Sequence, residues 1–247
     1  MARQKGGGPV DRRVHNCCPC LSRRGRVLLG CPPFRELIVS AGTYPVFLRL
    51  KGKTCLVVGA GKVGARKARG LLASGARVRV VSLKVSWAFG EEDLSACEVV
   101  ERGFDAADLD GMSLVVAATD SESVNGEVVS AARARGVWVN DVTSADRSDF
   151  ILPAIVNRGG LTIAVSTGGG SPAYARFVRE TLEEEFGEEH TAMVNLLTEL
   201  RPRVMDSLEP DVRPAFWAKV VTNETLDLIR SGQADELRER IERWLSS

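Results

Sequence analysis

Short apolar runs alternate with amphipathic segments from residue 44 to residue 149. Residues 55–58 are continuously apolar and β-leaning, which is typical of a strand buried on both faces of a sheet. Four further strands are predicted at 76–81, 98–100, 114–118 and 137–140, with helices at 65–72 and 124–135. Strands that alternate with helices in this way predict an α/β fold built on a parallel, doubly wound sheet.

The pattern changes after Asp149. Two strands at 150–156 and 160–165, joined by a turn at 157–159, predict a hairpin, and Pro172 stands where the next helix would begin. The remaining residues are helical by pattern, with proline breaks. We therefore expect a disordered extension over 1–43, an α/β domain over 44–149, a small α+β region over 150–187 and a helical C-terminal domain over 188–247.

Three glycines follow the first apolar run with the spacing Gly59-x-Gly61-x-x-Gly64. The first permits a tight turn, the second lets the backbone approach a pyrophosphate, and the third lets the following helix pack closely. Free N–H groups at the helix start attract phosphate. Because the motif follows a predicted buried strand and opens a helix, it predicts a Rossmann-type dinucleotide site that includes Lys62 and Val63, in preference to a purely structural turn.

The end of the second predicted strand lacks a residue that many NAD sites use. An Asp or Glu usually holds the ribose hydroxyls there, but this chain has Ser82, Leu83 and Lys84. Residue types alone therefore leave NAD and NADP as alternatives. Lys84 has two interpretations, a contact to a 2′-phosphate or an ordinary solvated lysine.

Composition and charge narrow the function classes. The 247 residues are 44% hydrophobic with a net charge of +1, which gives no reason to expect nucleic acid as a partner. No apolar run approaches the roughly 20 residues needed to span a bilayer. Outside the first 31 residues only Cys55 and Cys97 occur, which favours a cytoplasmic protein without a disulfide framework.

The N-terminal segment is rich in basic residues and cysteine, in contrast to the rest of the chain. Its four cysteines and His15 could suggest a metal site, but their spacing matches no standard zinc module. We therefore expect no metal site and a disordered extension whose role the sequence does not define.

Several motifs together resemble the siroheme synthase family, specifically its NAD-dependent precorrin-2 dehydrogenase module. The likeness covers about residues 44 to 230. The residues that carry it are Tyr44-Pro45-Val46-Phe47, the glycine motif with Ala65-Arg66-Lys67-Ala68, Ala117-Ala118-Thr119-Asp120, Val124-Asn125, Val139-Asn140, Phe150-Ile151-Leu152-Pro153-Ala154 and Ala164-Val165-Ser166-Thr167-Gly168-Gly169.

The resemblance implies an oxidoreductase that converts precorrin-2 to sirohydrochlorin with NAD as acceptor. Several family members also insert Fe²⁺ as sirohydrochlorin ferrochelatases, and some carry a methyltransferase domain that we do not expect here. Residues 150–187 would dimerise the protein by strand and helix exchange and contribute to the substrate site. By resemblance, the cofactor would also contact Leu83, Lys84, Thr119 and Asp120, and the tetrapyrrole would contact Asn140, Thr143, Ser166, Thr167, Gly168, Gly169 and Ser171.

One position departs from the family pattern. The family's key aspartate follows the Val-Asn pair by three positions, where this chain has Thr143. Asp141 stands two residues earlier, so on an extended loop it would keep the same side-chain face and could act as the general base. A turn-forming or capping role for Asp141 is the alternative. Because metal insertion requires a positioned base, we expect dehydrogenation to be retained and ferrochelatase activity to be weak or absent.

A second class of function is also compatible with the sequence. A dimer that binds NAD(H) without turnover and reports redox state would need the same glycine motif. The second glycine-rich loop favours the enzyme, because a sensor needs no cleft for an anionic substrate. Four arginines that flank the predicted substrate loops favour it for the same reason: Arg147, Arg158, Arg176 and Arg179.

Overall fold

The computed structural model describes residues 42–246. The chain divides into two units, Met1–Tyr44 and Pro45–Ser247, and only the second is described below. The expected disordered extension and the cysteine-rich segment lie almost entirely outside the described residues. Within the second unit, the finer division into three domains stays a prediction.

A five-stranded parallel sheet forms the first part of the unit, with strand order β3-β2-β1-β4-β5. The strands are β1 (Thr54–Ala60), β2 (Arg77–Val85), β3 (Cys97–Glu101), β4 (Leu114–Ala117) and β5 (Trp138–Asp141). The helices between them are α1 (Lys62–Ala73), α2 (Glu91–Ala96) and α3 (Glu122–Ala134). This is the predicted Rossmann-type α/β fold.

The two faces of the sheet bury separate cores. Along β1, Val57 packs in a cluster with Ala65 and Ala68 of α1, whereas Leu56 packs in a second cluster with Val128 of α3. Successive strand residues point to opposite faces. Helices α1 and α3 therefore cover opposite sides of the sheet, which explains why the strand is apolar throughout rather than alternating.

A two-stranded antiparallel hairpin follows, formed by β6 (Ala154–Arg158) and β7 (Leu161–Val165). The turn was predicted at 157–159 but consists of Gly159 and Gly160, because Asn157 and Arg158 belong to β6 and Arg158 pairs with Leu161. Gly159 adopts a φ of +58°, which favours glycine. Residues 150–153, predicted as strand, precede the hairpin. Pro153 lacks the N–H that a strand ladder uses.

Five helices complete the unit: α4 (Pro172–Glu185), α5 (Glu188–Ser207), α6 (Arg213–Val220), α7 (Asn223–Arg230) and α8 (Ala234–Leu245). Leu200 and Val204 of α5, Phe216 of α6 and Leu237 and Ile241 of α8 form a third buried core. Pro202 lies inside α5. In the described part of the chain, no helix is both long and apolar enough to cross a bilayer.

Candidate active site

The carboxyl ends of β1 and β4 meet where the order of the strands reverses, and α/β sheets usually bind their ligands there. Gly59 marks this point with a φ of +106°. A Cβ built on Gly59 would lie 2.4 Å from the carbonyl oxygen of Ala118 and 2.9 Å from the backbone nitrogen of Thr119. Only glycine permits this approach, so the turn after β1 lies directly against the end of β4.

The other two glycines of the motif have different surroundings. A Cβ on Gly64 would lie 2.0 Å from the carbonyl oxygen of Gly59, so Gly64 lets the first turn of α1 pack on the turn that precedes it. A Cβ on Gly61 would meet no atom within 4 Å. The fold itself therefore requires Gly59 and Gly64, while Gly61 borders open space that a Cβ would occupy. This is the arrangement that a pyrophosphate-binding turn needs.

Helix α1 begins at Lys62, three residues earlier than predicted, with Gly61 as its N-cap. No side chain caps the helix, and its first turn contains no acidic residue. Uncapped N–H groups and the helix dipole leave a partial positive charge at this end. Lys62 and Val63 are exposed beside it, so the helix start fits the anionic part of a dinucleotide.

Strand β2 is longer than predicted and includes Ser82, Leu83 and Lys84. The pairing with β1 is irregular after Val58 and resumes between Ala60 and Val85. The hydroxyl of Ser82, which stands where the ribose acid was expected, accepts a hydrogen bond from the backbone N–H of Ala60 at 3.1 Å. Ser82 therefore fixes the glycine turn, and Leu83 and Lys84 are exposed next to it.

Thr119 and Asp120 follow β4 on the other side of the turn. The Thr119 hydroxyl donates a 2.7 Å hydrogen bond to the amide oxygen of Asn125, and the Asn125 amide group donates to the Thr119 carbonyl at 3.1 Å. Asn125 is fully buried in α3. The buried amide thus determines the backbone path at Thr119, while Asp120 is exposed to solvent.

Asp141 ends β5, and its carboxylate is completely covered by neighbouring groups. One oxygen accepts hydrogen bonds from the Thr143 backbone N–H at 2.9 Å and the Thr143 hydroxyl at 2.6 Å. The other oxygen forms an ion pair with Arg147 at 2.8 Å, and the Asp141 side chain has 0% exposure. Of the two interpretations of Asp141, this geometry favours the turn-forming one over a general base that faces the cleft.

The pKa of Asp141 reflects these contacts. Burial raises the pKa of the carboxyl. The hydrogen bonds from Thr143 and the contact with Arg147 lower the pKa by more than burial raises it, so the net pKa is below its ordinary value of 3.8. A carboxylate that is covered and stabilised in its charged form is a poor proton acceptor near neutral pH.

Arg147 connects this cluster to α3. Its guanidinium contacts Asp141, the Thr143 hydroxyl at 3.2 Å and the carboxylate of Glu122 at 3.0 Å. The sequence singled out Arg147 only as one of several flanking arginines. Two of the others hold the structure together: Arg158 donates to the carbonyls of Phe186 and Glu183, and Arg179 pairs with Glu183.

Asn140, predicted to contact substrate, is buried. Its amide donates to the carbonyl oxygen of Phe150 at 2.9 Å and lies 3.4 Å from the Ser148 hydroxyl. Ser148 in turn accepts from the Asp141 backbone N–H and donates to the Ser144 carbonyl. These partly buried hydrogen bonds therefore hold the loop over 141–150 in place. Of the loop residues predicted to contact substrate, Thr143 is exposed.

The second glycine-rich loop lies next to this one, because a Cβ on Gly169 would come within 3.9 Å of the Ala145 Cβ. Gly168 and Gly169 have φ values of +63° and +88°. Ser166 accepts from the Gly168 N–H, Thr167 accepts from the Ser171 N–H, and Ser171 caps α4 by accepting from the Tyr174 N–H. The hydroxyl oxygens of the three predicted substrate residues thus define the shape of the loop.

Among residues 42–246, no group of three or more His, Cys, Asp or Glu side chains could hold a metal ion. Sequence reasoning did not single out Trp87, which is exposed beside the glycine turn with the Lys62 ammonium 5.2 Å from its ring centre. Nor did it assign a role to Ser148. Trp87 could have been found as an aromatic residue just after the second strand, whereas no sequence pattern marks Ser148.

Three family models match consecutive parts of the chain. Residues 46–154 match a family described as "Putative NAD(P)-binding". Residues 158–185 match "Sirohaem biosynthesis protein central" and residues 191–245 match "Sirohaem synthase dimerisation region". The order of these models agrees with the order of the sheet, the hairpin with α4, and the C-terminal helices.

Similar proteins carry related names. The siroheme synthase of Methylococcus capsulatus is 37% identical over 194 residues, which are 78% of this chain and 41% of that protein. The siroheme synthase of Pseudomonas fluorescens is 40% identical over 195 residues, 78% of this chain and 42% of that protein. This chain thus spans about two fifths of the length of these relatives.

A solved structure titled SirC, precorrin-2 dehydrogenase, is similar over its entire length. It is 27% identical with a TM-score of 0.68, and the match covers 81% of this chain and 100% of that chain. The resemblance to the siroheme synthase family that was stated from the motifs is confirmed by these matches, which together cover most of residues 46–245.

Proposed function

We propose that this protein is an NAD-dependent dehydrogenase that oxidises precorrin-2 to sirohydrochlorin. The single observation that carries the proposal is the turn at 59–64, where the fold requires Gly59 and Gly64 but leaves open space at Gly61. This open space lies at the N-cap of α1, where the helix N–H groups have no side-chain cap and can bind phosphate. The SirC structure, whose title names it a precorrin-2 dehydrogenase, supports the choice of substrate.

The residues present fit a dinucleotide. The N–H groups at the start of α1 and the Lys62 ammonium would hold the pyrophosphate, and Leu83 and Lys84 would border the adenosine side. Thr119 and Asp120 would border the nicotinamide side, with the backbone at Thr119 held by Asn125. When bound, NAD would accept the hydride on its nicotinamide ring, and the chain would bind and orient the cofactor and the substrate.

The substrate side of the proposed cleft is formed by two loops that meet at Ala145 and Gly169. In the second glycine-rich loop, the hydroxyl oxygens of Ser166, Thr167 and Ser171 accept hydrogen bonds from backbone N–H groups at 168, 171 and 174. We infer that these loops act through their shape, which places a planar tetrapyrrole, and that Thr143 is the side chain that faces it. Such positioning, rather than acid–base chemistry, is the main demand of a hydride transfer.

Asp141 acts as a positioning residue in this proposal. It fixes Thr143 and Arg147, and its low pKa makes it unsuitable as the base. The proton released in the oxidation then passes to water or to an exposed carboxylate of the loop, such as Asp146. Metal insertion must remove two pyrrole protons, so the same arrangement supports weak or absent ferrochelatase activity. Fe²⁺ would be a substrate only for that activity.

We further propose a homodimer in the cytoplasm. The match to a family dimerisation region over 191–245 supports the dimer. So do the exposed aromatic side chains of α4, Tyr174 and Phe177, whose rings stack with centroids 6.1 Å apart. Cys55 and Cys97 are free thiols, which supports a reducing compartment.

Anaerobic incubation with precorrin-2 and NAD⁺, followed by NADH absorbance, tests the proposed activity. We expect NADH to form with precorrin-2 and not without it, and we expect Gly61→Asp to abolish the signal. NAD⁺ binding in calorimetry without NADH formation would instead support the redox-sensing alternative. Parallel assays with NADP⁺ decide the cofactor preference that the residues at 82–84 leave open.

A further inference from the structure

Trp87 is an exposed aromatic residue on a firmly held turn. The residue is 83% exposed, yet the backbone on either side is fixed: the Ser86 N–H donates to the Ala60 carbonyl, and Arg69 donates to the Ala88 carbonyl. Phe89, two residues later, is buried in the core of the sheet. The fold thus holds a tryptophan in solvent at a defined place, where an indole gains nothing from packing.

This place adjoins the open side of the glycine turn. The Lys62 ammonium lies 5.2 Å from the centre of the Trp87 ring, and Lys62 follows directly after Gly61, whose missing Cβ faces open space. A cation over an indole face is an attractive contact, so Lys62 restrains the ring beside the helix start. Leu83, four residues before Trp87 near the end of β2, is a further exposed apolar side chain at 76% exposure.

We propose that Trp87 is the platform on which the adenine ring of the dinucleotide stacks. The inference rests on the proposed cofactor site and assigns a residue to its adenine end. Adenine is flat and aromatic, so it can stack on the face of an indole without any specific hydrogen bond. With a lysine rather than an acid at this end of the site, affinity for the adenosine half comes from the ring contact and not from a carboxylate on the ribose.

Calorimetric titration of wild type, Trp87→Ala and Trp87→Phe with NAD⁺ and with ADP-ribose tests the proposal. Base–aromatic stacking lost on alanine substitution corresponds to about 5- to 150-fold in affinity. We expect Trp87→Ala to weaken both ligands by a factor in this range and Trp87→Phe to retain most of the affinity. Trp138→Phe is the matched control, because Trp138 begins β5 at the opposite edge of the sheet.

Fluorescence supplies an independent readout. The chain has four tryptophans, and energy transfer to bound NADH should fall sharply in Trp87→Phe and remain in Trp138→Phe. Wild type that fails to bind NAD⁺ would overturn both this inference and the proposed function. Wild type that binds while Trp87→Ala binds equally well would overturn the inference alone. So would a loss confined to NAD⁺ with ADP-ribose unaffected, because ADP-ribose retains the adenine.

Discussion

The Thr143 hydroxyl donates a 2.6 Å hydrogen bond to the Asp141 carboxylate. Thr143 occupies the position at which the family resemblance places an aspartate, and Asp141 is the substitute suggested by the sequence. The two residues are thus partners in one hydrogen-bonded cluster with Arg147, in which only the Asp141 carboxylate is fully buried, rather than alternatives for one role. We therefore expect Asp141 to stabilise the loop rather than to act as a displaced general base.

Asp141→Asn should lower stability. Removing the charge breaks the ion pair with Arg147, and the loss of a buried charge-assisted hydrogen bond costs about 1.5–3 kcal/mol in the free energy of unfolding. Urea denaturation at neutral pH measures this difference. Asp146→Asn, an exposed residue of the same loop, is the control and should change the free energy by less than about 0.5 kcal/mol.

The effect of Asp141 should also depend on pH. Its folded pKa is below the ordinary 3.8, so its stabilising contribution is complete above that value and is lost as pH falls through the folded pKa. The difference in unfolding free energy between wild type and Asp141→Asn should therefore shrink below about pH 4. Equal stability at all pH values, together with a hundredfold loss of dehydrogenase turnover, would instead identify Asp141 as the base.

Exchanging the two residues should promote metal insertion. The double variant Asp141→Thr with Thr143→Asp moves the carboxylate to the exposed position and avoids two adjacent carboxylates in one site. A positioned base contributes about 10²- to 10⁴-fold, so we expect a clear rise in Fe²⁺ or Co²⁺ insertion into sirohydrochlorin. Thr143→Asp alone should gain less, because the two carboxylates would compete for Arg147. Efficient chelation by the wild type would contradict this prediction.

Substitutions of the glycines in α1 and in the preceding turn should affect protein stability and NAD⁺ affinity differently. Gly61→Ala points a methyl group into open space, so stability should be unchanged while NAD⁺ binding is weakened. Gly64→Ala collides with the Gly59 carbonyl and should prevent normal folding. Gly70→Ala in α1, which also meets no atom, should raise stability by about 0.5–1 kcal/mol and leave binding unchanged. Circular dichroism and calorimetry give both quantities. Undiminished binding by Gly61→Ala and Gly61→Asp would refute the cofactor placement.

The exposed face of α4 should contribute to the proposed homodimer. Phe177 is 61% exposed, and Phe177→Glu would place a charge in an interface that buries it. Analytical ultracentrifugation should show a dimer for the wild type and a monomer, or an equilibrium shifted about a hundredfold or more, for the variant. Leu94→Glu, an exposed apolar residue of α2, is the control and should remain dimeric. A dimeric Phe177→Glu protein would place the interface elsewhere.

The element pattern could be predicted because it depends on local features. Buried parallel strands have continuous apolar runs, as residues 55–58 do, and a glycine motif after such a strand indicates both a turn and a helix start. The predicted ends of strands were less accurate where pairing with a neighbouring strand decides where the strand ends. Strand β2 extends to Val85 because Val85 pairs with Ala60 after the irregularity in β1. No local pattern in the sequence predicts that pairing.

By itself the sequence determined the parallel α/β fold, the place of the glycine turn, the hairpin and the family resemblance, because these depend on short-range periodicity and on motifs with fixed spacing. Only the tertiary structure decided what each polar residue of the site does. The two-residue spacing of Asp141 and Thr143 suggested one shared face. In the fold, Thr143 and Arg147 instead cover the carboxylate. These partners lie only two and six residues further along the chain, but the path of the folded loop, with Arg147 paired to Glu122 of α3, brings them onto the carboxylate. That three-dimensional path determines whether the carboxylate accepts a proton or holds a loop.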